Sequence, residues 1–133
     1  MSDAAAALER VPLLAGLDAG QRKQLAGAMI ERRFDAGETA TVEGQHGVGF
    51  FVIVSGSATV TVGGQQVATL GAGDYFGEVA LLSGEGKRTA TITADTDLDC
   101  LGMTSWHFKP FLQEHPEIAW ALMQGMAAHR LRD

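Results

Sequence analysis

The run FFVIVSGSATVTVGGQQVATL, residues 50–70, sets the fold class. It consists of short stretches of Val, Ile, Phe and Thr, residue types that fit a pleated, half-buried surface. Glycines stand between the stretches, at 56, 63 and 64. The pattern predicts strands joined by tight turns, with residues 57–70 folding as a hairpin about Gly63 and Gly64. Outward from this run, glycine recurs at 37, 44, 47, 49, 71, 73 and 77. TATITA (89–94) and LDCLGM (98–103) read as two further strands. Many short strands at such even spacing imply a closed sheet, either a jelly roll or a barrel.

The flanks have a different texture. Residues 2–30 read as helical, with breaks at Pro12 and Gly16. Asp18 is placed to cap a second helix whose apolar face carries Leu25, Ala28 and Met29. After the strands, a helix is expected from about Ser105 to Gln113, and Pro116 suits the first position of another. Ile118, Leu122, Met123 and Met126 are assigned to one face of that last helix. Two roles fit this face: packing on the roll or pairing with a second copy.

The chain has 133 residues, 46% of them hydrophobic, enough for one domain with a core. Its formal charge of −6 opposes nucleic-acid binding. An anionic small ligand would need positive potential supplied locally. The single cysteine, Cys100, lies in a strand-like run and reads as a core thiol. The start, MSDAAAALER, is acidic and is no secretion signal. The longest strongly apolar run, VGFFVIV (48–54), is far shorter than the roughly twenty residues a bilayer span needs. A soluble, cytoplasmic protein is expected.

The chemistry is concentrated in DYFGEVALLSGEGKRTAT, residues 74–91. Gly86-Lys87 ends like a nucleotide-triphosphate loop, but the first glycine of that motif would fall at Leu81, and Arg88 follows the lysine instead of Ser or Thr. A metal-dependent jelly-roll enzyme would need converging imidazoles; the histidines at 46, 107, 115 and 129 form no HxH pair. No GxSxG elbow for a serine hydrolase is present. Neither catalytic residues nor metal ligands are predicted.

FGEVALL (76–82) followed by RTAT (88–91) resembles the phosphate-binding cassette of the cyclic nucleotide-binding domain family. That family includes bacterial catabolite activator proteins, regulatory subunits of cyclic-nucleotide-dependent kinases, and cyclic-nucleotide-gated channels. FFVIVSGSATV resembles its strand–Gly–strand hairpin, and LGAGDYFGE (70–78) its lead-in to the cassette. The resemblance covers nearly the whole chain. It implies a mainly β fold with flanking helices: an eight-stranded double-stranded β-helix, or jelly roll, over 31–103. N-terminal helices would occupy about 2–30, the cassette 76–90, and two C-terminal helices 104–133.

The resemblance also implies the ligand, a 3′,5′-cyclic nucleotide, with cAMP ahead of cGMP and no separate cofactor. Phe76 and Gly77 would lead into a short helix whose N-terminal N–H groups, at Glu78, Val79 and Ala80, face the phosphate. Arg88 would supply the compensating charge as a planar fork. Glu78 would accept the ribose 2′-hydroxyl, and Thr89 would add a hydroxyl. Val60 and Leu70 would wall the base, though both positions also suit ordinary core. The last helix would close as a lid, with Met126, His129 or Arg130 over the base. Two departures stand out: Lys87 replaces a proline common before the arginine, and the loop SGEGK is one residue longer than in many members. The expected role is a non-catalytic sensor or regulatory module. A dimerisation or docking scaffold with a vestigial pocket is the alternative. With the sequence ending at Asp133, in that last helix, no DNA-binding or membrane segment is expected. A homodimer or effector contact through the C-terminal helix is possible in either case.

Overall fold

The computed structural model describes residues 4–44, 49–77, 88 and 90–132. Two short helices, α1 (Ala4–Leu8) and α2 (Ala19–Gly27), flank a single 3-10 turn at Pro12–Leu14. Among the described residues eight strands follow: β1 (Ile30–Phe34), β2 (Thr39–Thr41), β3 (Gly49–Ser55), β4 (Ala58–Val62), β5 (Gln65–Leu70), β6 (Tyr75–Phe76), β7 (Thr91–Ala94) and β8 (Leu98–Thr104). Helices α3 (Ser105–Glu114) and α4 (Pro116–Arg132) complete the order. The strands form two antiparallel four-stranded sheets, ordered β1-β8-β3-β6 and β2-β7-β4-β5. The chain passes back and forth between the sheets, which makes a jelly roll.

Local chemistry sets the element ends. Gly63 and Gly64 have φ of +61° and +80°, the pair of positive values that a two-residue hairpin turn requires. The turn brings Val62 opposite Gln65 at the head of the β4–β5 ladder. Asp18 caps α2 reciprocally: its carboxylate accepts from the Gln21 N–H, and the Gln21 side chain accepts from the Asp18 N–H. Pro116 occupies the first position of α4.

Sheet β1-β8-β3-β6 has a core on each side. Along β3, Phe50 and Val52 face the helices, while Phe51 and Ile53 face the roll interior. Strand β8 alternates likewise, with Leu101 and Met103 toward the helices and Leu98 and Cys100 inward. The helix-side core gathers Leu8, Leu14, Leu25, Ile118 and Leu122, and Phe108 stacks on Phe50 at 5.2 Å. Ile118 and Leu122 thus pack inside this molecule.

Two assignments from the sequence need correction. Met123 is 53% exposed. At 3.6 residues per turn it lies about 140° around the helix from Ile118, whereas Ala121 and Leu122 lie within about 60° of it. Ala28 is exposed because it follows α2 as its C-cap residue, while Met29, just beyond, turns inward and is buried. No helix among the described residues is long and apolar enough to cross a membrane.

Candidate functional site

The site is assembled where β6 ends and β3 begins. Phe76 pairs with Phe51 across these strands, and their rings stack at 5.2 Å. Phe34 meets Phe51 edge-on at 5.9 Å. The Phe51 ring lies against Gly49 and Gly102; a Cβ on either would come within 2.8 Å or 2.7 Å of it. This aromatic group fixes the chain at Gly77, immediately after Phe76.

Gly77 has φ of +95°, and a Cβ there would lie 2.2 Å from the Gly49 carbonyl oxygen and 2.9 Å from Arg88 Nη1. Only glycine lets the backbone approach so closely. Arg88 Nη1 donates to the same Gly49 carbonyl at 2.9 Å. The half-buried guanidinium is therefore held in a corner formed by two glycine backbones. The hydrogen bond to Gly49 anchors one nitrogen of the guanidinium, whose planar fork is the geometry that grips paired anionic oxygens.

The main chain around Arg88 is held separately. Its carbonyl accepts from the Gly44 N–H at 2.9 Å. Thr41, a buried polar residue, donates through Oγ1 to the Ala90 carbonyl at 2.8 Å. The Glu43 N–H donates to Thr91 Oγ1 at 3.0 Å. The end of β2 and the two residues at 43 and 44 thus hold Arg88, Ala90 and Thr91.

Of the predicted site residues, Phe76, Gly77 and Arg88 are brought together. Val60 and Leu70 share the inner face of the β4–β5 hairpin, with Leu70 opposite Ala58 and Val60 two residues along. Both are half-buried and pack against the interior core. Glu78, Val79, Ala80 and Thr89 lie outside the described residues, as do the side chains of Met126, His129 and Arg130. Sequence reasoning missed Gly49, which acts through its carbonyl, and Phe51, which acts as a ring packed over glycines. The GFF triplet at the start of β3 was the one available signal.

Cys100 is buried in the interior, and burial pushes its thiol up to about 12, reinforced by the Asp99 carboxylate and opposed by Arg32. Such a thiol is a core group, since a nucleophile needs the thiolate. A hollow of about 560 Å³ runs over β1, β8 and β3, with Glu31, Arg33, Ser55 and Asp99 in its lining. It contains none of the predicted positions. Arg32 also lines it, so its two carboxylates stand among two guanidiniums, and Arg33 is engaged with Asp97 at 2.6 Å.

The family model for the cyclic nucleotide-binding domain matches residues 31–115. The chain belongs to the cyclic nucleotide-binding domain family. Within it, the domain is 44% identical over 93 residues to a cAMP-dependent protein kinase regulatory subunit of Yarrowia lipolytica, covering 68% of this chain and 24% of that one. The domain spans about a quarter of the length of the cAMP-dependent protein kinase regulatory subunits it matches, and 9% of a cGMP-dependent protein kinase of Toxoplasma gondii. Among solved structures, the N-terminal domain of a transcriptional regulator from Streptomyces coelicolor A3(2) matches with a TM-score of 0.79 and 32% identity, covering 95% of this chain and 92% of that one. The regulatory domain of Toxoplasma gondii PKA, crystallised with cAMP, matches with a TM-score of 0.80 and 26% identity, covering 98% and 49%.

Proposed function

We propose that this chain binds a 3′,5′-cyclic nucleotide, cAMP in preference to cGMP, as a regulatory module without catalytic activity. The observation that carries the reading is the Arg88 guanidinium, docked on the Gly49 carbonyl against Gly77. The ligand phosphate belongs at this corner, with Arg88 as its charge partner and the N–H groups of Glu78, Val79 and Ala80 as donors. Glu78 takes the ribose 2′-hydroxyl, Thr89 adds a hydroxyl, and the base lies along Val60 and Leu70. Helix α4 acts as the lid. The cAMP-bound Toxoplasma gondii neighbour and the kinase regulatory subunits among the relatives support this ligand class. Nothing in the assigned roles activates a water toward the cyclic phosphodiester, so the ligand acts by shifting a conformational equilibrium.

Isothermal titration with cAMP and cGMP, on the parent and on Arg88→Ala, tests this. One-to-one binding is expected, tighter for cAMP. Arg88→Ala removes one member of a partly desolvated ion pair, worth about 3–5 kcal/mol, or about two to three and a half orders of magnitude in affinity. Undiminished binding by Arg88→Ala would displace the phosphate from this corner.

A second reading draws on Trp120 and Met123. They are 60% and 53% exposed and lie three residues apart on the outer face of α4. Such a patch suits a partner protein or a second copy. If neither nucleotide gives heat or thermal stabilisation, a scaffold docking through this face becomes the better account.

A further inference from the structure

We infer that Glu43 is a positioning residue for Arg88, holding the phosphate-binding arginine through the turn of the β4–β5 hairpin. The inference rests on the placement of the phosphate at Arg88. Glu43 Oε1 accepts from the Gly63 N–H at 2.9 Å, across a sequence separation of 20 residues. Its own N–H donates to Thr91 Oγ1, and the next N–H in the chain, that of Gly44, donates to the Arg88 carbonyl. Consecutive N–H groups at 43 and 44 therefore hold residues 91 and 88, and the carboxylate between them is tied to the hairpin. Strand β4 closes the circuit by pairing directly with β7, with Thr61 opposite Thr91. Three segments far apart in sequence meet at residues 43 and 44, and the Glu43 carboxylate supplies the tie to the hairpin.

A carboxylate accepting from a main-chain N–H makes a stronger bond than a neutral acceptor would. Cutting it removes one tie on residues 43–44, whose N–H groups hold the main chain that carries Arg88. The guanidinium then has to find the Gly49 corner from a looser base. Glu43 does not need to touch the ligand to affect its affinity.

A double-mutant cycle read by isothermal titration with cAMP separates this role from a general structural one. Glu43→Ala is expected to weaken binding about threefold to tenfold, the loss that follows from one hydrogen bond. In the Arg88→Ala background the same substitution should cause no further loss, because its effect passes through Arg88. Equal losses in both backgrounds, or none in the parent, would overturn the inference while leaving Arg88 in its role. Full affinity in Arg88→Ala alone would instead remove the phosphate placement, and this inference with it. If Glu43→Ala fails to fold, Glu43→Gln keeps a neutral acceptor and runs the same cycle, with a smaller loss that must again vanish without Arg88.

Discussion

Gly77 has little latitude in the site. Its left-handed conformation costs a side-chain-bearing residue about 1–2 kcal/mol, and the added carbon would meet a main-chain oxygen that has no rotamer to move into. Gly77→Ala should therefore lower the midpoint of thermal unfolding and also abolish cAMP binding, because the same carbon would intrude on Arg88. Scanning calorimetry and titration on one preparation check both; an unchanged midpoint would contradict the geometry. At this scale the resemblance of FGEVALL and RTAT to the family's cassette singled out Gly77 and Arg88. Gly49 and Glu43 did not stand out, because each works on or through main-chain atoms, and a carbonyl oxygen or an N–H leaves no letter in the sequence.

The elements were readable where turn and cap chemistry is local. Asp18, the Gly63-Gly64 turn and Pro116 each mark a boundary found in the structure. Asp18→Ala should destabilise the fold by about 1 kcal/mol, seen in urea unfolding as a lower midpoint with an unchanged slope. The effect reaches the core because α2 delivers Leu25 into the helix-side cluster. A wild-type midpoint would mean the capping box contributes nothing to stability. Helix faces were harder to read. The last helix has apolar residues around much of its circumference, so periodicity alone could not separate Ile118 and Leu122, which are buried, from Trp120 and Met123, which are exposed.

For the molecule as a whole, even strand spacing pointed to a closed sheet, but strand order was beyond periodicity. β1 pairs with β8 from far along the chain, Ile30 opposite Gly102, and no local pattern encodes that partner; the family resemblance supplied the roll. The helix layer belongs to the same cooperative unit, since Ile118 packs with Leu8 and Leu14 against the sheet. Ile118→Ala should cost about 2–5 kcal/mol, whereas Trp120→Ala should stay within about 0.5 kcal/mol. Denaturant unfolding of the two variants compares the two faces of α4 directly. Equal effects would mean that α4 is not docked as described.

The divided alternation of β3 has a mechanical consequence. Phe50 and Phe51 are joined by one peptide bond, yet one ring stacks on Phe108 in the helix layer and the other on Phe76, next to Gly77. Their α-carbons are about 3.8 Å apart. The two compartments are thus partitioned by a wall one strand thick, with a bolt through it at this dipeptide. A tilt of this strand would carry both rings with it, one in each compartment.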